Sequence, residues 1–342
     1  MPIGKTWSRS SNRISSHPGV AGFQAGSPLN YDGITPEIAR GLLVLRERIA
    51  QAKIPSSKLD ETLNIATWNI REFGKKPRTK TALYYIAEIL RQFDLIGVQE
   101  VRDNLGDLKR VLEILGPDWR AVYSDALTDA GGNRERIAYV YDRRAVAFTG
   151  LAAQAQPPRT KRGMEYLSDI SWWRRPYMVS FHSGNFDFVC LSAHIRWGNS
   201  ERDRLSEIEA LADWVYTKAQ EKDTDGKDLI VMGDFNVPSE KSPLFQALTA
   251  RGLRVPDKLL RSTFGSNLEK NKRYDQILQM PEYPESFANA GGVLDFYQGD
   301  HTPLFPRLTK QAMTYQLSDH LPLWVQINTN TEEHMLRATA GA

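Results

Sequence analysis

The sequence predicts a mixed α/β domain, and three observations support that fold class. From about residue 62 onward, short β-rich runs alternate with amphipathic helical stretches. Polar side chains stand repeatedly where the apolar runs stop, which is where a layered α/β domain collects its active site. The chain has 342 residues, of which 41% are hydrophobic and 25% charged, so it can bury a sizeable core.

The strand candidates are apolar runs rich in β-branched and aromatic residues. They cover residues 63–70, 94–101, 136–142, 176–182, 186–195, 228–237, 274–280 and 320–327. Apolar residues spaced three and four apart predict two helices between them. The first is marked by Leu83, Ile86, Leu90 and Phe93, and the second by Leu205, Ile208, Leu211 and Val215.

A further helix is predicted near residues 36–52. Thr35 suits the N-cap and Pro36 the first helical position, and Ile38, Leu42, Leu45 and Ile49 form one apolar face. Residues 1–34 are rich in Ser, Gly, Asn and Pro, which is typical of a poorly packed leader. We therefore divide the chain into an N-terminal extension (1–57), a main domain (58–330) and a C-terminal tail (331–342) that is expected to be frayed.

The charge balance does not indicate a polyanionic partner by itself. Lys and Arg total 44 against 41 Asp and Glu, a net charge of +3. The single cysteine, Cys190, excludes an internal disulfide framework and favours a reducing compartment, so we expect a cytoplasmic protein. No export signal and no apolar run of roughly 18 residues is evident, so membrane insertion is not expected.

Oxygen-bearing side chains at strand ends indicate a site for a hard divalent cation. They are Asn69, Glu100, Asp234, Asn236 and Asp319. Mg²⁺ prefers such ligands, with Mn²⁺ or Ca²⁺ as alternatives, whereas one cysteine and dispersed histidines argue against structural zinc. Taken singly, Glu100 could be a strand-end charge and Asn69 a turn cap.

Two histidines also end apolar runs, His194 in "LSAHIRWG" and His320 in "LSDHLPLWV". A lone histidine is more often structural than catalytic. A pair beside carboxylates could divide acid and base work, because imidazole titrates near neutrality. The sequence does not show whether the two converge.

The ordered segments resemble the endonuclease/exonuclease/phosphatase superfamily, particularly its deoxyribonuclease I branch. The matching segments are "ATWNIREFG", "FDLIGVQEVRD", "NRERIAYVYDRRAV", "RRPYMVSF", "LSAHIRWG", "VMGDFN", "RYDQILQ" and "LSDHLPLWV". The resemblance implies a four-layer sandwich of two packed β-sheets flanked by helices, with the site at one rim. It also implies a metal-dependent phosphodiester hydrolase in residues 58–330, with DNA as the expected substrate.

The resemblance assigns roles to individual residues. Asn69 and Glu100 match metal-site residues, and Asp319 matches the second metal-site acid. Asp234 and Asn236 match residues that bind phosphate and orient the nucleophile.

The resemblance also pairs each histidine with an acid. His320 matches the catalytic histidine that Asp275 polarises and that helps to activate water, and His194 matches a second catalytic histidine with Glu135 as partner. The second pair favours the deoxyribonuclease branch over abasic-site endonucleases, which usually have Tyr there. Arg175 matches a phosphate-contacting arginine, and Arg102 a groove-contacting one.

The chain departs from the secreted relatives in substrate-contacting features. Asn133 replaces their groove-stacking aromatic, and their disulfides are absent. A basic-aromatic cluster of Trp172, Trp173, Arg174 and Arg175 could instead stack bases and pair phosphates. The alternative interpretation buries the tryptophans in the core and leaves the arginines at a strand edge.

Other functions remain open at this stage. One fold serves many substrates, so RNA, a phospholipid headgroup or an inositol phosphate is the alternative to DNA. A non-catalytic binding module would have lost the metal and histidine positions, which this chain retains. The helix near 36–52 offers a surface for a protein partner.

Overall fold

A computed structural model describes residues 28–126, 133–169, 172–198, 200–221, 228–260, 265–280, 284–287 and 290–340. The helices are α1 (Pro36–Gln51), α2 (Lys80–Leu90), α3 (Gly106–Leu115), α4 (Arg202–Ala219), α5 (Pro243–Thr249), α6 (Asp257–Leu260), α7 (Lys310–Thr314) and α8 (Glu332–Ala340). Most of the leader predicted over residues 1–34 lies outside the described residues.

The strands include every run that the sequence predicts. They are β1 (Thr62–Phe73), β2 (Leu95–Val101), β3 (Trp119–Tyr123), β4 (Arg136–Asp142), β5 (Ala147–Gln154), β6 (Thr160–Arg162), β7 (Glu165–Leu167), β8 (Tyr177–Ser183), β9 (Phe186–His194), β10 (Asp228–Asp234), β11 (Asp275–Met280), β12 (Ala290–Val293) and β13 (Leu323–Asn328).

Two mixed sheets form the centre of the domain. One has the strand order β12-β13-β1-β2-β4-β3 and the other β11-β10-β9-β8-β5, while β6 and β7 form a separate hairpin. Side chains from both sheets share one core cluster, so the sheets pack face to face. The predicted α/β fold class and its sandwich of two sheets flanked by helices are confirmed.

The alternation of side chains along β1 explains the layers. Leu63 and Ile65 lie in the cluster between the sheets, whereas Ala66, Trp68 and Ile70 lie in a second cluster against helices. Successive strand residues point to opposite faces, so Asn69 continues the face that looks toward the other sheet. Beyond that second sheet, α4 adds Ile208, Leu211 and Val215 to the shared core.

Helix α1 is part of the packed structure. Thr35 Oγ1 accepts a hydrogen bond from the Ile38 backbone N–H at 3.3 Å, as expected of an N-cap. All four residues of the predicted apolar face are buried, and they lie in the cluster that contains α2. Arg48 is also buried and donates to the carbonyl oxygens of Phe296, Tyr297 and Asp300. The predicted division at residue 57 stays a prediction.

The C-terminal segment differs from its prediction. Residues 332–340 form α8 instead of a frayed tail. Glu333 and Arg337 are one helical turn apart and pair at 2.6 Å, so local interactions support a helix that lacks a sustained apolar face. No helix among the described residues is long and apolar enough to cross a membrane.

Candidate active site

Three neighbouring strands place functional side chains side by side. Asp234 at the end of β10 pairs with His194 on β9 and with Asp275 on β11. Residues in register on adjacent strands have side chains only about 5 Å apart. Local strand pairing therefore assembles two acids and one histidine that are separated by 40 and 41 residues along the chain.

The turn after β10 is possible only with particular backbone conformations. Gly233 has φ +134°, and a Cβ there would lie 1.9 Å from the carbonyl oxygen of Ala193, so glycine is required. Asn236 has φ +53°, and its backbone N–H donates to Asp234 Oδ1 at 3.0 Å. The Asn236 side-chain amide donates to the Ile195 carbonyl at 2.8 Å. The loop is thereby fixed to the ends of both strands.

The opposite sheet closes the site. Asn69 Nδ2 donates to Glu100 Oε1 at 3.0 Å and to Asp234 Oδ2 at 3.1 Å, which links the two sheets. The cleft between them has a volume of about 320 Å³. Its lining comprises Asn69, Arg71, Glu72, Glu100, Arg102, Asn133, Glu135, Arg174, His194, Trp197, Asp234, Asn236, Asp319 and His320.

One carboxylate oxygen lies between the two histidines. Nε2 of His194 is 3.7 Å from Asp234 Oδ2, and Nε2 of His320 is 3.8 Å from the same atom. Asp234 is 2% exposed, so its charge acts in a poorly solvated environment. The two imidazoles, which the sequence could not bring together, converge on one point of the cleft.

His320 has a carboxylate partner behind it. Its Nδ1 is 2.8 Å from Oδ2 of Asp275, the residue predicted to polarise it. Burial alone would lower the pKa of His320, but the charges of Asp275 and Asp234 outweigh burial and raise this pKa to about 10. Burial raises the pKa of Asp275, against the opposing effect of His320. The pair fixes the ring so that Nε2 faces the cleft.

His194 has a different environment. Its Nδ1 lies 3.0 Å from Glu135 Oε2, although neither atom meets hydrogen-bond geometry. Arg174 Nε lies 2.5 Å from Glu135 Oε2, and Arg102 Nη1 lies 3.8 Å from Oε1. Burial would raise the pKa of Glu135, but His194, Arg174 and Arg102 together lower it to about 2. The Glu135 carboxylate is therefore ionised at neutral pH, at the cleft wall.

The predicted metal ligands fit a hard cation. The side-chain oxygen of Asn69 is buried and has no hydrogen-bond partner among the described residues, whereas the amide nitrogen donates to Glu100 and Asp234. Glu100 has φ +61°, a left-handed conformation that turns its carboxylate into the cleft beside Asn69. Asp319 contributes a half-exposed carboxylate 3.3 Å from Arg71 Nη1. The donors are all oxygen atoms, as Mg²⁺ requires.

A second grouping of potential ligands overlaps the catalytic residues. Asp234, Asp275 and His320 offer ligand atoms that all lie within 4.8 Å of one another. The contact between Asp275 and His320 already occupies one atom of each, as in a carboxylate–imidazole pair. This pairing leaves Asn69, Glu100 and Asp319 as the oxygen-only grouping in the described cleft that could hold a hard cation.

The predicted basic-aromatic cluster divides into separate environments. Trp172 is 7% exposed and packs perpendicular to Trp214 in the core, so the predicted contact of this ring with substrate is wrong in this structure. Trp173 is 59% exposed and lies next to the cleft residue Arg174 in the chain. Arg174 lines the cleft, and both Arg174 and Arg175 line a small adjoining pocket that His194 and Glu135 also line. Both arginines are thus placed near His194, and the predicted phosphate contact of Arg175 stays a prediction.

Several cleft residues were missed by the sequence analysis. Arg71 and Glu72 follow Asn69 at the bulged end of β1, and Trp197 follows His194 in the loop after β9. A large aromatic in a polar loop just beyond a strand end was the available signal for Trp197. Arg71 and Glu72 gave no comparable signal, because a bulge and not the strand alternation sets their directions.

The fold and this site define an enzyme class. The profile of the Endonuclease/Exonuclease/phosphatase family matches residues 66–320, and the chain belongs to that family. Its relatives place it in the deoxyribonuclease I-like branch. It is similar to a deoxyribonuclease of Thioalkalivibrio sp. (strain K90mix), at 32% identity over 54% of this chain and 49% of the relative, so the match spans about half of that protein.

The similarity to another relative covers more of both chains. Deoxyribonuclease-1 of Ovis aries is 31% identical over 78% of this chain and all of the relative (100%). Among solved structures, an endonuclease/exonuclease/phosphatase family protein from Bacteroides thetaiotaomicron shares the fold, with a TM-score of 0.54 and 20% identity over 80% of this chain and 97% of the other. The family, the site and these relatives support hydrolysis of phosphoesters by this chain.

Proposed function

We propose that the chain is a divalent-metal-dependent DNA endonuclease. The observation that supports this most strongly is the convergence of His194 and His320 on Asp234 Oδ2, at 3.7 and 3.8 Å. Two imidazoles in one cleft are suited to the two proton transfers of phosphodiester hydrolysis. Phosphodiester hydrolysis also needs stabilisation of negative charge, and the arginines and the oxygen-ligand site of the cleft are placed to provide it.

The proton transfers can be divided between the two imidazoles. Attack of water on phosphorus releases one proton, and departure of the alkoxide requires one. One imidazole accepts the first proton while the other, as imidazolium, donates the second, so a phosphate ends one product and a hydroxyl the other. Asp275 and Glu135 hold the two rings from behind, and Asp234 and Asn236 orient the phosphate and the water.

Asn69, Glu100 and Asp319 would hold Mg²⁺. Bound there, the cation would neutralise charge on the phosphate oxygens and polarise the P–O bond. Arg174 is 12% exposed, and its pairing with Glu135 presents a guanidinium at a fixed position on the cleft wall. Arginine in this setting binds phosphate oxygens with defined geometry.

DNA is the proposed substrate because relatives that align with this chain are named deoxyribonucleases. DNA bound in the cleft would extend over the surface beside it, where Lys75, Arg102 and Asn133 line an adjoining groove of about 580 Å³. Contacts of such side chains with phosphates fix register without reading sequence. The cytoplasmic location expected from the single cysteine also stays a prediction.

The test is cleavage of supercoiled plasmid by purified protein with Mg²⁺, with and without EDTA, beside His320→Ala. We expect nicking that EDTA abolishes and that the variant lacks. RNA, a phosphatidylinositol phosphate and a soluble inositol phosphate are run in parallel. Cleavage of one of these with plasmid left intact would overturn the DNA assignment, and folded protein that cleaves none of them would favour a binding module.

A further inference from the structure

An exposed tryptophan stands at the cleft beside the catalytic residues. Trp197 follows β9 by three residues and is 61% exposed, although it lines the same cleft as His194 and His320. A single exposed apolar side chain is common at a protein surface, but this indole lines the cleft that also holds His194 and His320, so a bound ligand would meet it. Neither the proton transfers nor the cation site uses this residue.

The side chain is held from beneath and from one side. The Arg204 guanidinium lies 5.0 Å from the Trp197 ring centroid, and the Tyr274 ring lies 5.5 Å away at an interplanar angle of 89°. Since the side chain is still 61% exposed among the described residues, its other face is open to solvent. The ring is thus fixed before any ligand arrives, which lowers the entropy cost of stacking.

The same contacts connect the ring to the catalytic residues. Arg204 is 4% exposed and donates from Nη1 to the Asn236 carbonyl at 2.8 Å. On the other side, the centroid of Tyr274 lies 6.0 Å from that of His320. The position of the Trp197 ring is therefore linked to Asn236 through Arg204 and to His320 through Tyr274.

The surroundings of Trp197 suit a polyanion with aromatic groups. Arg196 precedes it, and the Arg196 guanidinium lies 5.3 Å from the ring centroid of Trp173, which is 59% exposed. Two exposed indoles with an arginine between them form a ridge that we define as Trp173, Arg196 and Trp197. Alternation of aromatic faces and cations is the arrangement that binds single-stranded nucleic acid, whose bases stack while the backbone pairs with arginine.

We propose that Trp197 is a stacking platform for an unpaired base next to the scissile phosphate, so that this chain prefers single-stranded or locally unpaired DNA to intact duplex. The inference rests on the proposed nuclease function. In a duplex, both faces of each base are already stacked on neighbours, and presenting one to Trp197 requires local unstacking. An unpaired base requires no such unstacking, so stacking on Trp197 stabilises its complex with the protein.

The test compares one oligonucleotide as a single strand and as a blunt duplex. We expect a higher kcat/KM for the single strand in the wild type, a loss of about tenfold in Trp197→Ala, and a much smaller loss on the duplex. Trp197→Phe should recover most of the single-strand rate, because a smaller ring still stacks. The control is Tyr216→Ala, which removes a 45% exposed aromatic from α4, outside the residues that line the cleft.

A second measurement separates stacking from loss of structure. Binding of the labelled single strand in EDTA is measured by fluorescence anisotropy, with an abasic residue placed at each position in turn. At one position the abasic substitution should weaken binding to the wild type about as much as Trp197→Ala weakens binding of the intact strand. At that position, combining the two changes should weaken binding little further than either change alone. Equal losses on single strand and duplex, or fully additive effects at every position, would overturn the platform.

The two proposals fail in different ways. Wild-type protein that binds the single strand through Trp197 but cleaves no DNA contradicts the endonuclease function and leaves the platform supported. Protein that cleaves duplex faster than single strand, with no effect of Trp197→Ala, contradicts the platform alone.

Discussion

Nδ1 of His320 lies 2.8 Å from Oδ2 of Asp275, although 45 residues separate them in the chain. Asp275 begins β11 in one sheet, and His320 lies just before β13 of the other, so the contact spans the sandwich. It holds the ring with Nε2 toward Asp234. The packing of the two sheets therefore sets the orientation of the His320 imidazole. Changing Asp275 tests this relationship.

Replacing Asp275 by Asn should lower kcat/KM on DNA by roughly 100-fold, because the amide cannot stabilise the imidazolium and selects a different tautomer. Adding His320→Ala to this change should cost little more, since the two residues act as a unit. The matched control is Asp187→Asn, which alters a half-exposed His182–Asp187 pair with the same 2.8 Å separation far from the cleft lining. Equal losses in both variants would contradict the assignment.

The cation site should depend on Glu100. Glu100→Gln removes a charged ligand, and we expect the Mg²⁺ concentration for half-maximal nicking to rise roughly tenfold or more. The thermal stabilisation of the folded protein by Mg²⁺, measured without substrate, should weaken in parallel. Glu113→Gln on the exposed face of α3 is the control. An unchanged Mg²⁺ requirement in Glu100→Gln would show that Glu100 is not a ligand and that the cation binds elsewhere.

Glu135 should stabilise the fold in a pH-dependent way. Its pKa is lowered from 4.5 to about 2, so its contribution is complete above the unfolded value near 4.5 and is lost as the pH falls toward 2. Glu135→Gln should lower the free energy of unfolding at pH 7 by up to about 3 kcal/mol. The difference from wild type, measured by urea unfolding, should shrink steadily between pH 5 and 3. A difference that does not vary with pH would rule out a charge effect.

The contact between α1 and α2 leaves no room at Gly41. A Cβ there would lie 1.6 Å from the Tyr85 hydroxyl oxygen, so Gly41→Ala should destabilise the protein by about 1–3 kcal/mol. The same change in an open helix would stabilise it by about 1 kcal/mol. Tyr85→Phe should restore part of the loss by removing the nearest atom. Leu43→Ala, at a 61% exposed position of the same helix, should change stability little.

Much of the fold followed from local patterns. The run 136–142 was predicted residue for residue, and α1 was predicted within one residue of its end, because strand alternation and helix caps are local signals. Helix α3 was not predicted. Its first residue is Gly106, and Leu105 at the N-cap position makes no side-chain cap hydrogen bond, so the usual start signal is absent.

The candidate site also contains residues that local motifs predicted and residues whose positions only packing determined. Ordered motifs identified Asn69, Glu100, Asp234 and His320, and each of them lines the cleft. Trp172 and Trp173 could not be separated by sequence, because neighbouring residues in a loop share composition while packing decides which ring is buried. The structure buries Trp172 against Trp214 and exposes Trp173.

By itself the sequence determined the fold class, the order of the strands along the chain and the chemical types gathered at their ends, because hydrophobic period and side-chain chemistry are properties of short segments. Only the tertiary structure decided that His194 and His320 meet at one oxygen of Asp234, that Glu135 is held as an anion, and that Trp197 faces the cleft. These relationships depend on strand register and on the packing of two sheets, and no local pattern encodes a distance between segments that are far apart in the chain.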